Sequence, residues 1–290
     1  MNIYKTLNEA FVMSLKHMQE HGSLVHSRGT AQREVLFYSL CIDDPTAMSI
    51  DVPGRKFNPD YAIAEWLWYL SKNRSVNNIG KLANIWLKIQ DDVGECESNY
   101  GTYLLDDQWK WALKELIKDK DTRRATLAIN QPYHKGKNDN DYPCTQYVHF
   151  FIRDNELHLG VHMRSNDAVF GFCNDVFTFC MFQQLMLNDY NHHIQSGQID
   201  GEPLEKLKLG KYYHTAGSFH VYEAHWRMMD KVLDNYFVQK EETGYPNLNK
   251  YKLRDNIISE SINEISLPTH DMTKEEIKQI TKNTKGLLYV

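Results

Sequence analysis

Residues 145–195 constrain the fold more than any other stretch of the chain. Two runs of alternating character, TQYVHFFI from Thr145 and LHLGVHM from Leu157, flank the polar turn RDNE. In the second run Leu157, Leu159, Val161 and Met163 share one face, and His158 and His162 share the other, because successive side chains of a strand point opposite ways. The apolar pattern over 175–195 is too long for a strand, and it predicts a core helix stopping near Gly197. A hairpin with one apolar face, followed by a helix able to cover it, is the seed of a layered α/β fold.

The rest of the chain extends that layering. Residues 1–22 predict an amphipathic helix, with Ile3, Leu7, Ala10, Phe11 and Leu15 near helical spacing and Gly22 as a stop. HSRGTAQRE reads as a polar loop, and VLFYSLCI after it as a strand. Over 58–72, Asn58 can cap a helix, Pro59 suits its first position and Asp60 suits its positive end. The interior of that helix, AEWLWYL, is apolar nearly all round and predicts burial. YYHTAGSFHVYEAHW, 212–226, mixes strand-like aromatic residues with polar groups, and beyond about residue 240 the chain turns more charged. No internal repeat or linker interrupts it. The economical reading is one α/β (α+β) domain over 1–240 with an extension over 241–290 whose role the sequence leaves open.

Composition narrows the function classes. Hydrophobic residues make up 42%, enough to offset chain entropy and exclude a disordered state. Lys and Arg number 33 against 38 Asp and Glu, a net charge of −5 that argues against a broad DNA-binding surface yet permits a local anion pocket. No run of about 18 apolar residues predicts a transmembrane helix, so no membrane partner is expected. The charged N-terminus does not resemble a signal peptide. Cys41, Cys96, Cys144, Cys173 and Cys180 follow no disulfide or zinc spacing, so no metal is expected and a reducing cytoplasm is.

A few residues stand out chemically. Cys144 follows a proline and opens a strand; a free cysteine is ordinarily a small buried hydrophobe, but a thiolate there would be a nucleophile. Arg28, Arg123, Arg124 and Arg164 are each unremarkable as surface cations, but guanidinium groups brought together bind a phosphate bidentately. Glu65 lies inside an apolar helix, where a carboxylate is costly unless paired or functional. Asp175 can serve simply as the cap of the 175–195 helix. His158 and His162 lack a carboxylate or cysteine cluster nearby and read as sheet packing rather than metal ligands.

In order, these features resemble the thymidylate synthase superfamily. The carriers are Arg28 in its Gly/Thr loop, AEWLWYL, Ile85-Trp86 followed fourteen residues later by Tyr100-Gly101, and DTRRA. Pro143-Cys144, RSNDAVFGFCND at 164–175 and GSFHVY at 217–222 complete the set, which spans about residues 1–235. CTQY, MRSNDAVFGFCND and AGSFHVY look most like the bacteriophage deoxycytidylate 5-hydroxymethylases.

The resemblance implies a large mixed sheet packed with helices and a homodimer formed sheet to sheet. It implies that Cys144 adds to pyrimidine C6, and that Arg28, Arg164 and Ser165 bind phosphate together with Arg123 and Arg124 from the other subunit. His220 and Tyr222 would hold the deoxyribose hydroxyl, Glu65 would organise water and proton transfer, and Trp86 and Asp167 would contact the folate. Tyr100 and Asn166 match further active-site positions. Asp175 stands where synthases carry Asn and points to dCMP over dUMP, and Thr145, where they carry His, matches the hydroxymethylase side. The implied reaction is 5-hydroxymethylation of dCMP with 5,10-methylenetetrahydrofolate in the cytoplasm, that of the host for a phage protein. Nearby arginines are expected to lower the Cys144 pKa, and Ile89, where synthases commonly have a second Trp, to alter solvent access. The alternatives are a dUMP methylase or hydroxymethylase, a CMP hydroxymethylase, and a silent homologue that binds nucleotide or RNA.

Overall fold

The computed structural model describes residues 1–137, 140–195, 205–243 and 250–289. The elements run β1 (Asn2–Tyr4), α1 (Leu7–His21), β2 (Ser23–Ser27), β3 (Thr30–Ile42), α2 (Pro59–Leu70), α3 (Asn77–Gly80), α4 (Ile85–Ile89), α5 (Gly101–Leu104) and α6 (Asp107–Lys118). They continue with β4 (Thr126–Ala128), β5 (Thr145–Arg153), β6 (Glu156–Asp167), α7 (Gly171–Gln195), β7 (Lys208–Tyr222), α8 (Trp226–Thr243), β8 (Lys252–Leu253), α9 (Lys274–Lys285) and β9 (Leu288–Tyr289). A mixed sheet of order β1-β3-β7-β6-β5-β4, with β2 paired to β3, forms the body of the molecule.

The expected hairpin is β5–β6, antiparallel, with Arg153 opposite Glu156 across the turn. β6 then pairs parallel with β7, which requires a crossover, and α7 supplies it while lying across both strands. Leu157, Leu159, Val161 and Met163 are buried beneath it, as their alternation predicts. α7 begins at Gly171, four residues before the sequence pattern suggested. Asp175 is therefore not its cap; Asp167 accepts from Val169 N (3.0 Å) and Phe170 N (3.2 Å) and shapes the entry to the helix instead. The predicted stop at Gly197 lies outside the described residues.

The polar stretch HSRGTAQRE is not a loop. It closes a β2–β3 hairpin through a two-residue turn in which Arg28 (φ 49°) and Gly29 (φ 78°) both adopt positive φ, the primed geometry that matches strand twist. A positive φ is uncommon for arginine, which is why the turn is hard to see in the sequence. α2 starts as its chemistry predicts, with the Asn58 side chain accepting from Tyr61 N at 3.2 Å. At Tyr100-Gly101 a Cβ on the glycine would fall 1.7 Å from the Tyr69 carbonyl oxygen. Backbone cannot yield there as a flexible side chain can, so Gly101→Ala is expected to cost about 3 kcal/mol or more in a denaturant titration; an unchanged midpoint would refute the close approach.

The opposite face of the sheet carries no covering helix among the described residues. Tyr147 stacks on His162 (centroids 4.4 Å), His149 meets Phe151 at a tilt (4.0 Å), and Ser39 bonds Thr215 (3.0 Å) along it. Leu36 and Phe37 continue this side, 63% and 80% exposed. His158 accepts from Lys211 N at 2.9 Å, so the two histidines are sheet residues.

Residues 250–288 fold back onto α2, α3 and α7. Leu267 N donates to Leu67 O in α2 (3.0 Å), the Asn78 amide donates to Pro268 O and His270 O, and Asn188 in α7 donates to Arg254 O and Ile257 O. Leu253, Leu267, Ile277 and Leu288 join the same core as the sheet.

Candidate active site

A cleft of about 1210 Å³ opens where the C-terminal ends of β6 and β7 meet α2, the start of α7 and the β2–β3 turn. Arg28, Glu65, Trp86, Tyr100, Cys144, Arg164, Ser165, Asn166, Asp167, Asp175, His220 and Tyr222 all line it. Arg123 and Arg124 do not. They sit exposed ahead of β4, and Arg124 Nε pairs with Glu115 at 3.3 Å.

Cys144 immediately precedes β5, beside Arg164 on β6, whose backbone N donates to the Cys144 carbonyl at 2.8 Å. The Arg164 guanidinium is held by the Tyr142 (2.6 Å) and Pro143 (3.3 Å) carbonyls and lies over the Tyr142 ring, which fixes it near the Cys144 thiol. The expected lowering of the thiol pKa does not occur. Burial pushes it up, Arg164 and Arg28 offset only part of this, and Asp175 and Asp141 add to the rise. Sequence shows which cations are near, but not how dry the thiol is.

Glu65, buried on α2, accepts from Tyr69 OH at 3.0 Å. Burial raises its pKa to about 7, against the lowering effect of Tyr61 and Tyr69. Tyr61 in turn accepts from Trp86 Nε1 at 2.9 Å, so one hydrogen-bond chain joins the carboxyl to the tryptophan wall. Tyr100 stacks between Tyr69 (5.2 Å, 9°) and Phe179 (5.9 Å, 16°), which makes the floor rigid.

Parallel pairing of β6 with β7 sets Ser165 opposite Ser218 and Asp167 opposite His220. His220 is buried, and its Nε2 has no hydrogen-bond partner among the described residues. A buried imidazole nitrogen without a partner is uncommon and calls for an explanation. Asp175 lies one turn into α7 and accepts from Asn166 Nδ2 at 2.7 Å. Behind it, His214 Nε2 meets Asn166 Oδ1 at 3.0 Å, and Tyr212 OH meets His214 Nδ1 at 3.0 Å. Burial and the Glu65 charge push the Asp175 carboxyl well above the usual range.

The sequence reading missed Tyr61, Tyr69, Arg55 and Lys56, all in the cleft wall. Arg55 is buried, donates to Val169 O at 3.0 Å and covers the Phe170 ring. Tyr61 and Tyr69 lie four residues either side of Glu65, a helical spacing that could have flagged them. His214 gave no signal, because its partners are distant in sequence.

Comparison with known proteins agrees with this geometry. The family profile described as Thymidylate synthase matches residues 9–280. The deoxycytidylate 5-hydroxymethyltransferase of Enterobacteria phage T6 is 30% identical over 240 residues, covering 78% of this chain and 92% of its own. The deoxyuridylate hydroxymethyltransferase of Delftia phage PhiW-14 is 28% identical over 235 residues, covering 75% of this chain and 58% of its own. Among solved structures, a thermostable thymidylate synthase A from Bacillus subtilis shares the fold, with a TM-score of 0.64 at 20% identity, covering 86% of this chain and 89% of that one.

Proposed function

The chain belongs to the thymidylate synthase family, and from that premise we propose that its cleft hydroxymethylates dCMP at C5. The observation that carries the substrate is Asp175, a carboxyl in the cleft wall whose pKa burial and the Glu65 charge push well above the usual range, toward the protonated form. Cytosine presents an acceptor at N3 and a donor at its 4-amino group. A neutral carboxyl answers both, with its O–H on N3 and its second oxygen on the amino group.

The remaining roles follow the same cleft. Arg28, Arg164 and Ser165 bind the phosphate as charge-assisted donors. His220, with Tyr222 beside it at 4.8 Å between rings, takes the sugar hydroxyl on its orphaned Nε2. Cys144 adds its sulfur to C6 as its thiol proton passes to water in the cleft and the C5–C6 double bond opens, which makes C5 nucleophilic and divides one difficult step into easier ones. Glu65, half protonated near neutrality, holds and moves the proton at its Oε atoms and orders the water that ends the reaction.

The residues present fit a folate. Trp86, Leu82, Ala83, Ile85 and Ile89 form an apolar wall for a flat ring system, and the Asp167 carboxylate is fixed at its edge by two backbone donors. When bound, 5,10-methylenetetrahydrofolate supplies the one-carbon unit. Tyr100 and Asn166 keep the floor and the base-reading carboxyl in place.

The working unit we infer is a homodimer in the cytoplasm of an infected host, joined through the uncovered sheet face. Its aromatic residues support this, as does the position of Arg123 and Arg124 outside their own cleft. The segment 250–288 braces α2 and α7 rather than forming a separate unit.

Tritium release from [5-³H]dCMP and [5-³H]dUMP, each with methylenetetrahydrofolate, tests the reading. Release from dCMP without dihydrofolate absorbance is expected. Release confined to dUMP, with dihydrofolate formed, would make methylation of uracil the reaction.

A further inference from the structure

A neutral carboxyl is ambivalent. With the proton on one oxygen it complements cytosine; with the proton on the other it complements uracil, donating to O4 and accepting from N3–H. Asp175 alone therefore does not choose the base; something must decide which oxygen carries the proton.

We propose that Tyr212, His214 and Asn166 form a buried relay that reserves Asp175 Oδ2 as an acceptor for the 4-amino group, leaves the proton on Oδ1 toward N3, and so selects cytosine over uracil. This rests on the dCMP reading above and extends it to residues remote from the substrate. Tyr212, His214 and Asn166 are 0%, 1% and 3% exposed.

The direction of the relay follows from hydrogen-bond accounting. Tyr212 OH has only His214 Nδ1 as a partner among the described residues, at 3.0 Å. Accepting there would leave its own hydrogen buried and unpaired, so it donates. Burial keeps His214 neutral, with its pKa lowered to about 3. With Nδ1 an acceptor, Nε2 carries the hydrogen and donates to Asn166 Oδ1 at 3.0 Å. The amide is thereby oriented with Nδ2 toward Asp175 Oδ2, at 2.7 Å. An oxygen that receives an N–H is a poor place for a proton, and the proton goes to Oδ1. If the tyrosine hydroxyl is removed, the imidazole tautomer is released, the amide can turn over, and the proton is free to sit on either oxygen.

These are positioning residues, and the readout is the ratio of kcat/KM for dCMP to that for dUMP. Misfolding scales both substrates together and leaves this ratio alone. Asn166→Leu is expected to lower the ratio about tenfold or more, and Tyr212→Phe, which removes a single oxygen, about threefold. Should Asn166→Leu fail to fold, Tyr212→Phe decides by itself. An unchanged ratio in the folded variants overturns the relay. The parent enzyme's own preference is read separately: a parent that favours dUMP would sink the dCMP reading, while the relay would still stand or fall on whether the variants move the ratio.

Discussion

Cys144→Ser is expected to lower turnover of dCMP by about 10⁴-fold or more while leaving nucleotide binding within a few-fold of the parent, since a nucleophile's loss is felt in kcat. Nothing else in the cleft can replace it. The other four cysteines are buried, whereas Cys144 is partly open to the cleft. A serine hydroxyl in the same burial would be far harder to ionise than the thiol. The proposed phosphate ligands, His220 and Asp175 are untouched, so equilibrium dialysis with dCMP should still detect binding. Retained turnover would remove covalent catalysis from the mechanism. The same variant tests the shared site. Mixed with an Arg123→Ala/Arg124→Ala double variant, it should regain about a quarter of parental activity, because random pairing of a two-fold dimer restores one intact site in half of the dimers. No recovery on mixing would place those arginines outside any active site.

Asp175→Asn is expected to reduce kcat/KM for dCMP by about 100-fold, the contribution of a positioned acid, while dUMP loses little and becomes the preferred base. A carboxyl can hand its proton to N3 as charge develops on the ring; an amide cannot. Uracil needs no such transfer, and an amide can meet its N3–H and O4. The relay resists the amide orientation that uracil requires, so adding Asn166→Leu to Asp175→Asn should carry the preference further toward dUMP than either change alone. An Asp175→Asn enzyme that keeps its dCMP preference would show that the base is read elsewhere.

Much of this site was legible because its residues act through type and local pattern. Glu65 in an apolar helix, a cysteine after a proline and RSND after an alternating strand are each visible in a short window. What stayed hidden depends on tertiary packing. The Arg28 turn needs a positive φ that sequence does not favour, and the start of α7 at Gly171 is set by Asp167, not by apolar periodicity. The thiol pKa follows from dryness contributed by the whole cleft. The relay joins positions 166, 175, 212 and 214 across two strands and a helix, and no spacing announces it.

The clasp of residues 250–288 over α2 and α7 sets an order of events during synthesis. A ribosome emits the chain from its N-terminus, and domains begin to fold as they emerge. The sheet strands, Cys144 and Asp175 are all translated before residue 225. At that point Asn78, Gln184 and Asn188 still lack the carbonyl and amide partners that Tyr251, Leu253, Arg254, Ile257, Pro268 and His270 bring. The helices that carry Glu65 and Asp175 thus gain these partners last, after every residue of the cleft has already been made.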